Sequence, residues 1–196
     1  MQRKNNLKTI VNFLYEVGTA RNIIRSHHQV LKNTNDTIAS HSFRVAIIGL
    51  ILAELEKVDK DKVLKMCLLH DLAELRTGDA NFLNKFYRTE NEERAIQDQW
   101  KNIIGGKEVI SLLKEYNKRK SKEAIVAKDA DILDQILLQK EYLSHRPYDF
   151  KKWHNHMERQ IKTKSALEIS KLTFRTQPMD WIYDFARSKG IKVTPP

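Results

Sequence analysis

Between residues 38 and 79 the chain reads IASHSFRVAIIGLILAELEKVDKDKVLKMCLLHDLAELRTGD. His41 lies inside one apolar run, and the pair His70-Asp71 closes a second. Glu74, Thr77 and Asp79 follow at close spacing. Ionisable side chains in apolar surroundings cost free energy unless they are paired or bind a metal. Imidazole and carboxylate are the ligands of a nitrogen/oxygen metal site, and both bind in their deprotonated forms. Glu74 is four residues from His70 and three from Asp71, so on a helix it shares their face. His41 reaches the same point if the two helices pack antiparallel, which their short polar connection favours. Two histidines and two carboxylates leave positions for water or substrate. An ion held there would generate hydroxide near neutral pH and polarise a phosphoryl oxygen.

Helices must position these groups. Residues 6–17 place Leu7, Ile10, Val11, Phe13, Leu14 and Val17 at helical spacing, with Gly18 as the stop. Residues 19–36 show no clear period and read as a long connection, a common place for function. Thr37 or Ser40 can cap the next helix, whose apolar residues cover much of its circumference. That helix is therefore expected to be central and buried. Residues 59–61 form a polar turn. A third helix runs through Val63, Leu64, Cys67, Leu68 and Leu72 to end near Leu75, and Gly78 breaks the chain.

Further helices are expected over residues 91–104, 107–116 and 122–143, then one long helix over 150–175. Thr176 can cap a last helix over residues 178–187. Neither an internal repeat nor a linker is visible. Residues 1–196 are read as one all-α domain, a single-domain helical bundle.

Composition agrees. Of 196 residues, 41% are hydrophobic and 31% charged, which is globular rather than disordered. The single cysteine, Cys67, excludes an internal disulfide and suits a reducing compartment. The longest uninterrupted apolar stretch, residues 45–53, is far short of a membrane span, and the N-terminus lacks a signal-peptide pattern. A cytoplasmic protein with no membrane partner is the expectation. The net charge of +10 would steer anionic ligands toward the chain. Its lysines and arginines are spread out, so a basic surface is favoured over a nucleic-acid patch. His145, His154 and His156 read as surface residues, since i,i+2 positions on a helix point apart. Trp100, Trp153 and Trp181 read as core or interface.

The strings SHSFRVA, LLHDLAELRTGD and KDADIL, in that order, resemble the HD-domain metal-dependent phosphohydrolases. The similarity is closest to the branch of bacterial 5′-deoxynucleotidases and covers most of the chain. It implies an HD-type helical fold and one divalent metal ion (Mn, Co, Fe, Ni, Zn or Mg) held by His41, His70, Asp71 and a later aspartate. KDADILDQ offers Asp129, Asp131 and Asp134. Apolar periodicity slightly favours Asp129 as inward-facing, whereas the family pattern falls on Lys128, Asp131 and Leu133 and selects Asp131. The other two then read as helix-surface charge.

The resemblance also implies that Glu74 and Asp79 act on water, leaving group and sugar, without dividing those roles. Arg25 corresponds to an arginine that contacts the phosphate, and planar guanidinium suits that task. The family places a tryptophan after this arginine, and Ser26 stands here. Thr77 and Gly78 are read as turn chemistry. The implied function is phosphate release from small nucleotides, (deoxy)nucleoside 5′-monophosphates, by a metal-dependent phosphomonoesterase, with homodimerisation implied by the resemblance alone. Two rivals remain: a phosphodiesterase or nucleoside-triphosphate hydrolase using the same metal site, and a non-catalytic nucleotide-binding module.

Overall fold

The computed structural model describes residues 2–31, 34–89 and 91–192. Two long apolar helices form its centre. Helix α1 (Gln2–Gly18) leads through the 3-10 turns Thr19–Asn22 and Ser26–Gln29 to α2 (Ile38–Glu56). A capping box starts α2: the Thr37 hydroxyl accepts the Ser40 N–H, and Ser40 Oγ accepts the Thr37 N–H. Thr37, rather than Ser40, is thus the cap. Lys57 ends α2 in the left-handed region (φ 56°), and Asp59 caps α3 (Lys60–Leu69) three residues beyond α2. The short turn makes α2 and α3 antiparallel neighbours. Gly49 faces Val63 and Cys67, while His41 faces His70.

Helix α3 does not run on to Leu75. It stops at Leu69, and α4 (Glu74–Thr77) is a single turn after residues 70–73. Helix α5 (Phe82–Tyr87), α6 (Glu92–Trp100) and α7 (Gly106–Lys118) follow. At the α6–α7 bend a Cβ on Gly106 would stand 1.9 Å from the Trp100 carbonyl oxygen, so this position requires glycine. Helix α8 (Lys122–Leu143), capped by Ser121, spans the molecule against α2 and α3.

The expected single helix over residues 150–175 is two helices, α9 (Pro147–Glu158) and α10 (Lys164–Arg175). Thr163 caps α10, and Thr176 ends it rather than starting α11 (Asp180–Ser188). Among the described residues there is no strand, only the isolated bridge Ile24–Thr37.

The main core joins α2, α3, α8 and α10 through Val45, Leu52, Met66, Leu133, Ile136 and Ala166, all essentially inaccessible. A second cluster, Leu72, Ile96, Trp100 and Leu113, carries the bend after α3. Phe13 and Trp100 pack edge to face, with ring centroids 4.7 Å apart, and fasten α1 to this cluster. His154 is not at the surface: it is 3% exposed, and its Nε2 lies 3.0 Å from the Ser170 carbonyl, tying α9 to α10.

A candidate metal centre and its acidic rim

The site forms where α2, the end of α3 and α8 meet. Helix α2 delivers His41 from its first turn, 1% exposed. His41 Nδ1 donates to Asp134 Oδ2 at 2.7 Å, which leaves the Nε2 lone pair facing inward. Arg44, one turn on, bonds to the same carboxylate and to Glu141 and fixes Asp134. His70 caps the C-terminus of α3, and its Nδ1 donates to the Cys67 carbonyl at 2.9 Å. Both imidazoles therefore turn Nε2 toward the same point, 3.3 Å apart. A partner on the far ring nitrogen is the arrangement that sets tautomer and aim in metal-binding histidines.

Two carboxylates close the set. Asp71 Oδ1 is 3.2 Å from His70 Nε2, and its Oδ2 is 3.3 Å from His41 Nε2. Asp131 Oδ1, from α8, is 3.3 Å from His41 Nε2 and 3.9 Å from His70 Nε2. Ligand atoms of His41, His70 and Asp71 all lie within 4.8 Å of one another. Two neutral imidazoles and two carboxylates, buried and converging, fit one divalent ion of the nitrogen/oxygen type. Lys128 neutralises the remaining oxygen of Asp131 at 2.5 Å.

The electrostatics match a site poised between proton and metal. Burial and Arg25 oppose charge on His41, but hydrogen bonds to Asp131, Asp134 and Asp71 outweigh them and raise its pKa well above the usual value. Burial would raise Asp71, yet His70, Arg25 and His41 hold it well below the ordinary carboxylate range. Asp131 is held well below in the same way, by Lys128 and the two histidines against burial. A metal entering here displaces the proton that the raised pKa places on His41.

Beside the box lies an acidic rim gathered around Arg25, which is 5% exposed. Its Nη1 donates to Asp71 Oδ2 at 2.5 Å and to Glu74 Oε2 at 3.5 Å, and its Nε lies 3.4 Å from Asp79 Oδ2. The Ser26 backbone N–H donates to the same Asp79 oxygen at 2.6 Å. The residue that replaces the expected tryptophan thus holds Asp79 through its main chain. Burial, then Asp71 and Asp79, push the Glu74 carboxyl up to about 9 against Arg25 and Lys85.

The seven residues singled out from the sequence meet in one place. Asp129 and Asp134 are not surface charges: each is 1% exposed. Asp129 accepts the N–H groups of Lys162 and Thr163 at the start of α10, and Asp134 orients His41. Asp134 and the Cys67 carbonyl were missed. The spacing of Asp134, one helical turn after Asp131, was the available signal for it.

A helical bundle that brings two imidazoles and two carboxylates to one buried point, next to a guanidinium, defines a metal-dependent hydrolase frame. The chain belongs to the HD domain family, whose model matches residues 17–173. It is similar to the 5′-deoxynucleotidase HDDC2 of Dictyostelium discoideum, 30% identical over 151 residues, 71% of this chain and 75% of that protein. A conserved hypothetical protein from Pyrococcus furiosus superposes with a TM-score of 0.72 at 29% identity, over 85% of this chain and 99% of that one. The cyanophage S-2L HD phosphohydrolase DatZ, bound to dA and one catalytic zinc ion, superposes with a TM-score of 0.57 at 22% identity. That match covers 82% and 93% of the two chains and shows shared fold.

Proposed function

We propose that the chain is a metal-dependent phosphomonoesterase acting on small nucleotides, (deoxy)nucleoside 5′-monophosphates. The observation that carries this is the join between the four-ligand box and buried Arg25, which share Asp71. The relatives named 5′-deoxynucleotidases support the substrate class, and the phage enzyme with its nucleoside and zinc ion supports the metal. His41, His70, Asp71 and Asp131 would hold one divalent ion, which supplies Lewis acidity toward a phosphoryl oxygen.

Arg25 presents its guanidinium to the phosphate, where planar paired donors fit best. Water adds to phosphorus, and the bond to the 5′ oxygen breaks. Glu74, whose carboxyl burial and the charges of Asp71 and Asp79 push up to about 9 in the metal-free chain, gives its proton to the leaving oxygen and regains one from the added water. Asp79 is held by Ser26 and Arg25 and accepts a hydroxyl of the sugar. The working unit is a pair of chains joined along the uncovered apolar face of α2.

A screen of nucleoside monophosphates against metal-loaded protein, read by released phosphate, tests the activity. Phosphate from at least one nucleotide is expected. Protein that holds metal yet releases none from any of them overturns the reading. Pyrophosphate from triphosphates or a linear dinucleotide from cyclic substrates would instead favour the rivals.

A further inference from the structure

The segment that carries Asp71 and Glu74 has little helix of its own. Residues 70–73 are turns, and α4 is four residues long, too short to be stable unaided. One side of this segment meets Arg25 through Asp71 and Glu74. The other side meets α1 and α6, where a single carboxylate holds it at two points.

That carboxylate is Glu16, the only acidic residue in the sequence of α1. Its two oxygens accept Arg76 Nε at 2.6 Å and Arg76 Nη2 at 2.8 Å, the paired geometry in which guanidinium binds carboxylate most strongly. Arg76 belongs to α4, two residues after Glu74. Glu16 Oε1 also accepts from Gln99 Nε2 at 2.9 Å, and the same amide nitrogen donates to the Leu72 carbonyl at 2.8 Å. Leu72 directly follows Asp71. Gln99 is 4% exposed, so an N–H that loses either acceptor is left buried and unpaired, which is costly. Phe13, three residues before Glu16 on the same helix face, packs on Trp100 beside Gln99 and brings α1 to this place. The Arg76 hydrogen bond, with Gln99 and against burial, holds the Glu16 carboxyl below its ordinary value, so both oxygens are charged acceptors at neutral pH.

We propose that Glu16 is a positioning residue for the site. Through Gln99 it fixes the Leu72 peptide beside Asp71, and through Arg76 it fixes α4, which Glu74 opens. It acts through these two side chains rather than on the metal or the substrate. Its effect on Asp71 concerns metal binding alone, whereas its effect on Glu74 rests on the phosphomonoesterase reading. A ligand's orientation depends on the groups behind it, and here the brace comes from an otherwise peripheral helix.

Calorimetric titration of the full-length chain with zinc(II) tests the brace without turnover. Glu16→Ala is expected to weaken zinc binding about tenfold, and Glu16→Gln, which keeps an oxygen for Gln99 and Arg76, to stay within about threefold of the native chain. Asp129→Ala loses a helix cap away from this brace and serves as the destabilised control, with native zinc affinity expected. Native affinity in Glu16→Ala overturns the proposal, as does a native protein that binds no zinc. An equal loss in Asp129→Ala overturns it too, since stability alone would then explain the effect. At saturating zinc, Glu16→Ala should lower kcat on a nucleoside monophosphate about tenfold and leave KM within about threefold, because Arg25 is untouched. Native kcat there overturns the effect on Glu74. Native protein that binds zinc but hydrolyses no nucleoside monophosphate sinks the nucleotidase reading alone, and the zinc affinity of Glu16→Ala still decides the brace.

Discussion

Asp129 and Asp131 stand two positions apart on α8, both buried, with different partners. Asp131 faces His41 and His70, whereas Asp129 accepts the first N–H groups before α10. Asp131→Asn is therefore expected to lose bound metal while keeping its fold. Asp129→Ala should keep metal and lose about 1–2 kcal/mol of stability, the usual cost of a deleted cap. Metal analysis beside urea denaturation separates the two, and metal lost only from Asp129→Ala would reverse the assignment. Glu74 gives a prediction with a sign. In the metal-free protein its folded pKa is about 9 against an ordinary 4.5. The folded state then holds a proton that the unfolded chain has released. This contribution is complete below the unfolded value and is lost as pH rises toward 9. Glu74→Gln keeps the neutral form, so its melting temperature should exceed that of native apoprotein at pH 9 and match it near pH 4. A difference that shrinks as pH rises would refute the placement of that proton. The seven residues that the structure brings together at the candidate site were singled out from residue type and spacing together with the family pattern. Asp134 was not, because its meaning lies in His41, 93 residues away in sequence.

The elements were legible where periodicity was strong and where a cap or a glycine marked an end. Helices α2, α3 and α8 meet those conditions, and they carry all four proposed metal ligands or their immediate neighbours. Helix α5 does not. Its apolar residues point to solvent, with Phe82 and Phe86 nearly four-fifths exposed, while its polar side chains face the body. Periodicity assumes the reverse, so NFLNKFY gave no core-facing stripe to read. The break between α9 and α10 escaped because Asp129, remote in sequence, receives the N–H groups exposed there. The spacing of α2 and α3 depends on one residue. A Cβ on Gly49 would lie 2.5 Å from Cys67 Sγ and 3.2 Å from Val63 Cγ1. Both neighbours are buried in the core and have little room to move. Gly49→Ala must push the helices apart, two turns from His41 and one turn from His70. Overpacking of this kind typically costs about 1–3 kcal/mol. The expected result is a lower melting temperature together with at least tenfold weaker metal binding, the scale seen when ligand orientation is disturbed. Loss of stability with undiminished metal affinity would mean that the helix spacing does not set the box.

At the scale of the whole molecule, α2 is covered on only part of its circumference. Sequence pattern predicts a central, buried helix, and Val45, Leu52 and Ala53 do lie fully within the core. Along the other side Phe43, Ile47, Ile51 and Leu55 recur every fourth residue and are 44–68% exposed. By length and composition α2 passes for a membrane span, but α3 and α8 pack against its inner face. The partner proposed for the outer face is a second copy, because a stripe running from Phe43 to Leu55 can pair with itself about a two-fold axis. The charge of the chain works against that pairing. Each copy carries +10, so two copies repel, and apolar contact must exceed the repulsion. Added salt screens the repulsion and leaves the apolar contact in place. Light scattering should therefore find a dimer that tightens from low to physiological salt. Ile47→Lys combined with Ile51→Lys should give a monomer of unchanged helicity, since both side chains are exposed within one copy. The metal box is complete within one chain, so that monomer should retain its metal. A native protein that is monomeric at all salt concentrations, or a double variant that stays dimeric, would reject α2 as the contact.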